Sequence, residues 1–135
     1  MVTCGGPPRL QKRAVALQES KLLRWELCGP DLLLRLDGYV HVSLGVPGQD
    51  QGTAWSQELE LLLRNARIVE EPRELPLWIS QAELSSAPLL LLPVPFEERG
   101  AVLLKLAGAE GALAATGDGL TVSTVSDPHF IERVG

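Results

Sequence analysis

Aromatic side chains are scarce: 135 residues hold three tryptophans, one tyrosine and two phenylalanines. Two cysteines, two histidines and a single asparagine, Asn65, are the other rarities. Cys4 and Cys28 share no CxxC spacing and there is no second pair, so neither a zinc site nor a disulfide framework is signalled. With His41 and His129 the only histidines, a two-histidine, one-carboxylate metal set has no supporting spacing, and no His-x-His pair is followed by a glutamate. No metal and no cofactor is expected.

Positive charge is also limited. Twelve Lys and Arg face 17 Asp and Glu, for a net charge of -5. A protein that neutralises phosphates needs clustered cations, and the one basic cluster, Arg9 to Arg13, has no interleaved aromatics, so nucleic acid is not an expected partner. The longest apolar run is Leu89 to Leu92, closed by Pro88 and Pro93 and far short of the roughly 18 residues that cross a bilayer. No membrane association is expected. The first ten residues carry Gly and Pro where a secretory signal needs an apolar stretch, which points to a cytoplasmic protein. Nine arginines against three lysines suggest a GC-rich, bacterial coding bias.

The signatures of several chemistries are missing as well. There is no Gly-x-Ser-x-Gly, no Ser-x-x-Lys and no Walker lysine. Gly117-Asp118-Gly119 is half of a dinucleotide fingerprint, but Val122 occupies its third glycine position, and it reads as a tight hairpin turn.

What the chain does have is leucine, 26 of them, in short runs cut by Pro and Gly. At this length one domain is the default, with residues 1–8 as a flexible arm before a single mainly-β domain over 9–135. A weak helical pattern of Leu10, Ala14 and Leu17 allows one short N-terminal helix over Arg9 to Ser20. From Leu22 the spacing turns strand-like. Leu22 to Cys28 and Leu32 to Ser43 flank Gly29-Pro30-Asp31 as a hairpin, and Val46 to Gly52 is a loop. Pro76, Pro88, Pro93 and Pro95 push their segments to sheet edges.

The fold expected is all-β, a single antiparallel sandwich or flattened barrel of about seven to nine strands. One stretch is ambiguous. Trp55 to Glu71 has a capping Ser56 and helix-favouring charges, yet Leu59, Leu61 and Leu63 alternate with Glu58 and Glu60. Strand is preferred there; a helix would make the fold α+β.

Period-2 phasing of Leu34 to Leu44 puts Leu34, Leu36, Val40, Val42 and Leu44 on one face and Arg35, Asp37, Tyr39, His41 and Ser43 on the other. The polar row could bind a ligand through Arg35, Tyr39 and Ser43, or supply an acid/base pair through Asp37 and His41. A solvated outer face of an antiparallel sheet would carry the same residues. Trp25 phases with Leu23 and Leu27 and is expected in the core, whereas Trp78 is out of phase with Leu77 and Ile79 and is expected outside. Trp55, Trp78 and Leu89 to Leu92 together would form an apolar patch larger than a monomer leaves uncovered, which suggests a homodimer or a protein partner. Two functions follow: a non-enzymatic binding or interaction module, or alternatively a small-molecule-binding or metal-dependent enzyme working through Arg35, Asp37, Tyr39 and His41.

Overall fold

Alternation of inward leucines with outward polar residues organises the whole chain. A computed structural model describes residues 11–134, and every regular element in it is a β-strand. These are β1 (Lys12–Cys28), β2 (Asp31–Ser43), β3 (Gly52–Leu63), β4 (Arg67–Glu70), β5 (Leu77–Trp78), β6 (Gln81–Leu84), β7 (Ala87–Pro88), β8 (Leu91–Pro93), β9 (Phe96–Gly108), β10 (Gly111–Thr124) and β11 (His129–Val134). Eight follow one another across a single antiparallel sheet in the order β5-β1-β2-β3-β10-β9-β6-β7, while β4, β8 and β11 pair with β10, β1 and β3 respectively. The sheet curls into a half-barrel rather than splitting into two stacked layers.

Two short crossings span its open side. After β5 pairs with β1, Ile79 N–H donates to the Ser20 carbonyl and Ser80 N–H to that of Ala107, carrying the chain from the β1 edge to β9. After β8 pairs with β1, Val94 N–H donates to the Arg13 carbonyl before β9 begins. Inside, the largest fully buried side chains are all leucines, among them Leu17, Leu34, Leu36, Leu61, Leu104 and Leu106. Burial of leucine at this scale stabilises by roughly 1.5–3 kcal/mol per side chain before conformational entropy is set against it.

The expected hairpin is present: Cys28 lies opposite Asp31, and Gly29 turns the chain with φ 63°. Trp55 to Glu71 is not helical: β3 and β4 run through it, separated by a turn at 64–66 where Asn65 has φ 48°. Its residues pair on both sides, Leu61 with Leu34 of β2 and with Val122 of β10, so the ladder outweighs local propensity.

Three expectations need correction. No helix occupies 12–20; β1 runs through it, with Val15 and Leu17 in the core, and the helical spacing arose because Ala14 on the opposite face counts as apolar too. Arg9 and the 1–8 arm lie outside the described residues. Gly117-Asp118-Gly119 is not a hairpin turn but a bulge inside β10. There β10 exchanges β4 for β3 as its neighbour, and Asp118 N–H donates to the Arg64 carbonyl (2.7 Å), closing the bulge. A Cβ on Gly117 would stand 2.9 Å from that same carbonyl oxygen, so the corner requires glycine. Finally, Trp25 is partly buried against the core as expected, but a second bulge puts Leu22, not Leu23, in the inward position.

Candidate functional site

The phasing of β2 holds. Leu34, Leu36, Val40 and Val42 are buried, and Arg35, Asp37, Tyr39 and His41 are half-buried on the outer face. Gly38 takes the inward position between them, where a Cβ would meet Leu59 Cδ1 at 2.8 Å. Leu44, past the strand end, is exposed instead of buried, and Ser43 keeps the outer phase but is buried there. The Ser43 hydroxyl works within the 44–51 connection, donating to the Gln51 carbonyl and accepting from Gly45 N–H.

Arg35, Asp37 and Tyr39 each have polar partners on other strands. Arg35 lies between Glu58 and Glu60 of β3, at 3.3 and 3.4 Å. Asp37 accepts a hydrogen bond from the Ser56 hydroxyl (3.0 Å) and has Lys21 of β1 at 3.9 Å. Lys21 in turn lies 4.7 Å from the centre of the Trp78 ring. The Tyr39 hydroxyl donates to Glu132 of β11 (2.5 Å), reaching across β3. Its pKa is pushed up to about 12 by burial, then by the hydrogen bond and the negative charge of Glu132, with Glu19 adding to the effect.

Asp37 and His41 are not brought together. They are four residues apart on one strand, roughly 13 Å, and Tyr39 stands between them with its ring edge-on to His41 at 5.1 Å. His41 has only Ala14 and Ala54 beside it on the adjacent strands, and its Nδ1 is buried without a hydrogen-bond partner. The 44–51 connection reaches across to β8: Gly48 sits so near Leu91 that a Cβ would come 2.7 Å from Cδ1. His129 is opposite Ser56 on β11, on the same face but exposed. Among the described residues, no three of His, Cys, Asp and Glu are grouped as a metal ion would need.

The two tryptophans do not form one patch. Trp78 is 57% exposed on the outer face, as its phase requires. Trp55 is opposite Val40, on the inner face, and packs edge-on against Phe130 at 5.3 Å. Its phase with Leu59, Leu61 and Leu63 was the signal for that placement. Of the 89–92 run, Leu92 is buried, Leu89 and Leu91 are half-buried and Leu90 is 60% exposed.

The surface that sequence reasoning missed is β11. It extends the line of β10 along β3, entered by Ser126, whose hydroxyl accepts from Glu58 N–H and whose carbonyl accepts from the Gln57 side chain. Its single neighbour among the described residues is β3. Residues 129–133 are exposed, including Phe130 at 55% and Ile131 at 45%. A bulge between Phe130 and Glu132 aims Ile131 toward Tyr39 and Trp78 on the outer face. The run His129-Phe130-Ile131-Glu132-Arg133-Val134, rich in strand formers and closed at its start by Pro128, was the available cue.

No family model, no curated protein and no solved structure matches this chain.

Proposed function

We propose that this protein is a non-enzymatic binding module that works by adding a strand to the open edge of its sheet, and that the strand comes from a second copy of the chain. The observation that carries this reading is a contrast between edges. At β5, β7 and β8 the sheet ends in strands of two or three residues, preceded by Pro76, containing Pro88, or ending on Pro93, and β4 is four residues followed within two by Pro72. Short strands and prolines are how sheets refuse an incoming strand. β11 has six residues, no proline and two exposed large apolar side chains, and, unlike β1 and β9, whose outer sides are partly covered by β5, β8 and β6, its outer side has no partner strand anywhere among the described residues.

A second copy suits this edge better than an unrelated strand. Antiparallel pairing of β11 with itself about a two-fold axis uses the outer side of β11 in both copies and closes on itself. With the axis at Ile131, the two exposed isoleucines meet. The charges of Glu132 and Arg133 cancel locally, so two chains of net charge -5 can approach there without a like-charged rim. The exposed thiol of Cys28 suits a reducing compartment, which supports a cytoplasmic location.

The alternative of catalysis or ligand binding by Arg35, Asp37, Tyr39 and His41 has less behind it. Ion pairs and hydrogen bonds engage the first three, and the fourth is flanked by Ala14 and Ala54 with no polar partner. Sedimentation velocity tests the reading: the wild-type chain sediments as a dimer at concentrations above about 100 µM, and Ile131→Lys, a charge on the edge, sediments as a monomer with its fold intact. A wild-type chain that remains a monomer there overturns it.

A further inference from the structure

The inner face of the half-barrel opens at one end, and a row of residues crosses four strands there. Arg13 of β1 is opposite Val42, Val42 is opposite Thr53, and Thr53 is opposite Arg133 of β11. Residues directly opposed on antiparallel strands share a face, so both arginines stand on the inner side with Val42 and Thr53 between them. One step further in, Val15, Val40, Trp55 and Phe130 form an apolar row. The Trp55 indole N–H donates to the Thr53 hydroxyl (2.7 Å), which fixes the ring as a wall.

Two adjoining hollows open on these rows. One of about 360 Å³ is lined by Arg13, Val40, Val42, Thr53, Trp55 and Gln57, with Gln11 and Pro128 at its rim. The other, about 590 Å³, reaches from Gln11 across Val42 and Thr53 to Arg133. Both are within the size range of ligand sites, ~300–1,000 Å³. The chain holds 17 acidic residues, yet none lines either hollow. Among the described residues neither Arg13 nor Arg133 has an ion-pair partner, while Arg35 and Arg64 do. Two unpaired guanidinium groups over an apolar floor, with carboxylates kept away, are suited to a negatively charged head on an apolar body.

We propose that this mouth binds an organic anion with an apolar body. Arg13 and Arg133 hold the charged head, and Val40, Val42 and Trp55 take the body. The site is on the inner face; it shares Arg133 with the pairing strand β11, whereas Arg13 belongs to the mouth alone.

The test uses the whole protein and two dyes of nearly the same shape: 8-anilinonaphthalene-1-sulfonate, an anion, and N-phenyl-1-naphthylamine, which lacks the sulfonate. The anionic dye binds the folded wild-type chain more tightly than the neutral one. Arg13→Gln and Arg133→Gln each weaken its binding about tenfold and leave the neutral dye within about twofold. Arg99→Gln, which lines neither hollow, changes neither. Thermal melting of each variant confirms that it is folded. Arg13→Gln leaves sedimentation as in the wild type, which separates this site from the pairing edge. The proposal is overturned if the wild-type chain binds neither dye, binds both equally, or keeps its affinity for the anion in both arginine variants.

Discussion

The Tyr39 hydroxyl on β2 and the Glu132 carboxylate on β11 are joined by a 2.5 Å hydrogen bond that passes over β3. The bond ties the last strand to the outer face of the sheet. Tyr39 is the only tyrosine, so its phenolate absorbance can be read without interference from another residue.

The titration of that phenol is expected to centre on about 12, not near 10, because burial and the Glu132 charge both disfavour the phenolate. The folded state therefore holds this proton more firmly than the unfolded state. Its contribution to stability is fully present below pH ~10 and is lost as pH rises through ~12. Glu132→Gln should lower the midpoint in an absorbance titration, and an unchanged midpoint would remove Glu132 as a cause.

Arg35 holds apart two carboxylates that lie two residues from each other on β3. Replacing Arg35 by Ala is expected to destabilise by up to about 1 kcal/mol per pair lost, less in high salt. The loss should shrink when Glu58 and Glu60 are also Gln. Urea melts of the four chains decide it; additive losses would mean that the pairs are not coupled.

Leu61 and Leu34 face each other in the core and both are fully buried. Leu61→Ala should cost about 2–5 kcal/mol, whereas Leu62→Ala, on the half-buried outer face, should cost clearly less. Equal losses in chemical denaturation would contradict the assignment of faces.

Gly108 ends β9 against the crossing that spans the open side of the half-barrel. A Cβ there would overlap the Trp78 carbonyl oxygen, a backbone atom that cannot swing away. Gly108→Ala is expected to cost about 1–3 kcal/mol and to shift Trp78 fluorescence, since β5 must move. A melt and an emission spectrum identical to the wild type would show that the crossing is not tightly seated.

Strand identity was legible from the sequence wherever alternation and punctuation agreed. The 34–42 run alternates cleanly and is bounded by turn residues, so both its faces were readable, and the same phase rule placed Trp78 outside. What escaped depends on pairing. The four-residue excursion in β1 between Ala16 and Lys21 is held by Ser20, whose hydroxyl donates to the Ala16 carbonyl and accepts from Tyr39 N–H, and neither partner is visible locally. The β10 bulge looks like a turn because glycine serves both. Ala14 and Ala16 are buried on the face opposite the core, so the chain showed apolar residues on both phases and imitated a helix. The polar row was legible as a row, but its ion pairs required the register of β3. Arg13 and Arg133, 120 residues apart, share a face only through the β1-β2-β3-β11 pairings.

The most direct test of strand addition is amide hydrogen exchange of 129–134 at low and high protein concentration. If β11 pairs with a second copy, protection of these amides rises with concentration in step with the dimer, while amides of β2, already paired on both sides, do not change. Fast exchange throughout β11 at both concentrations would contradict it.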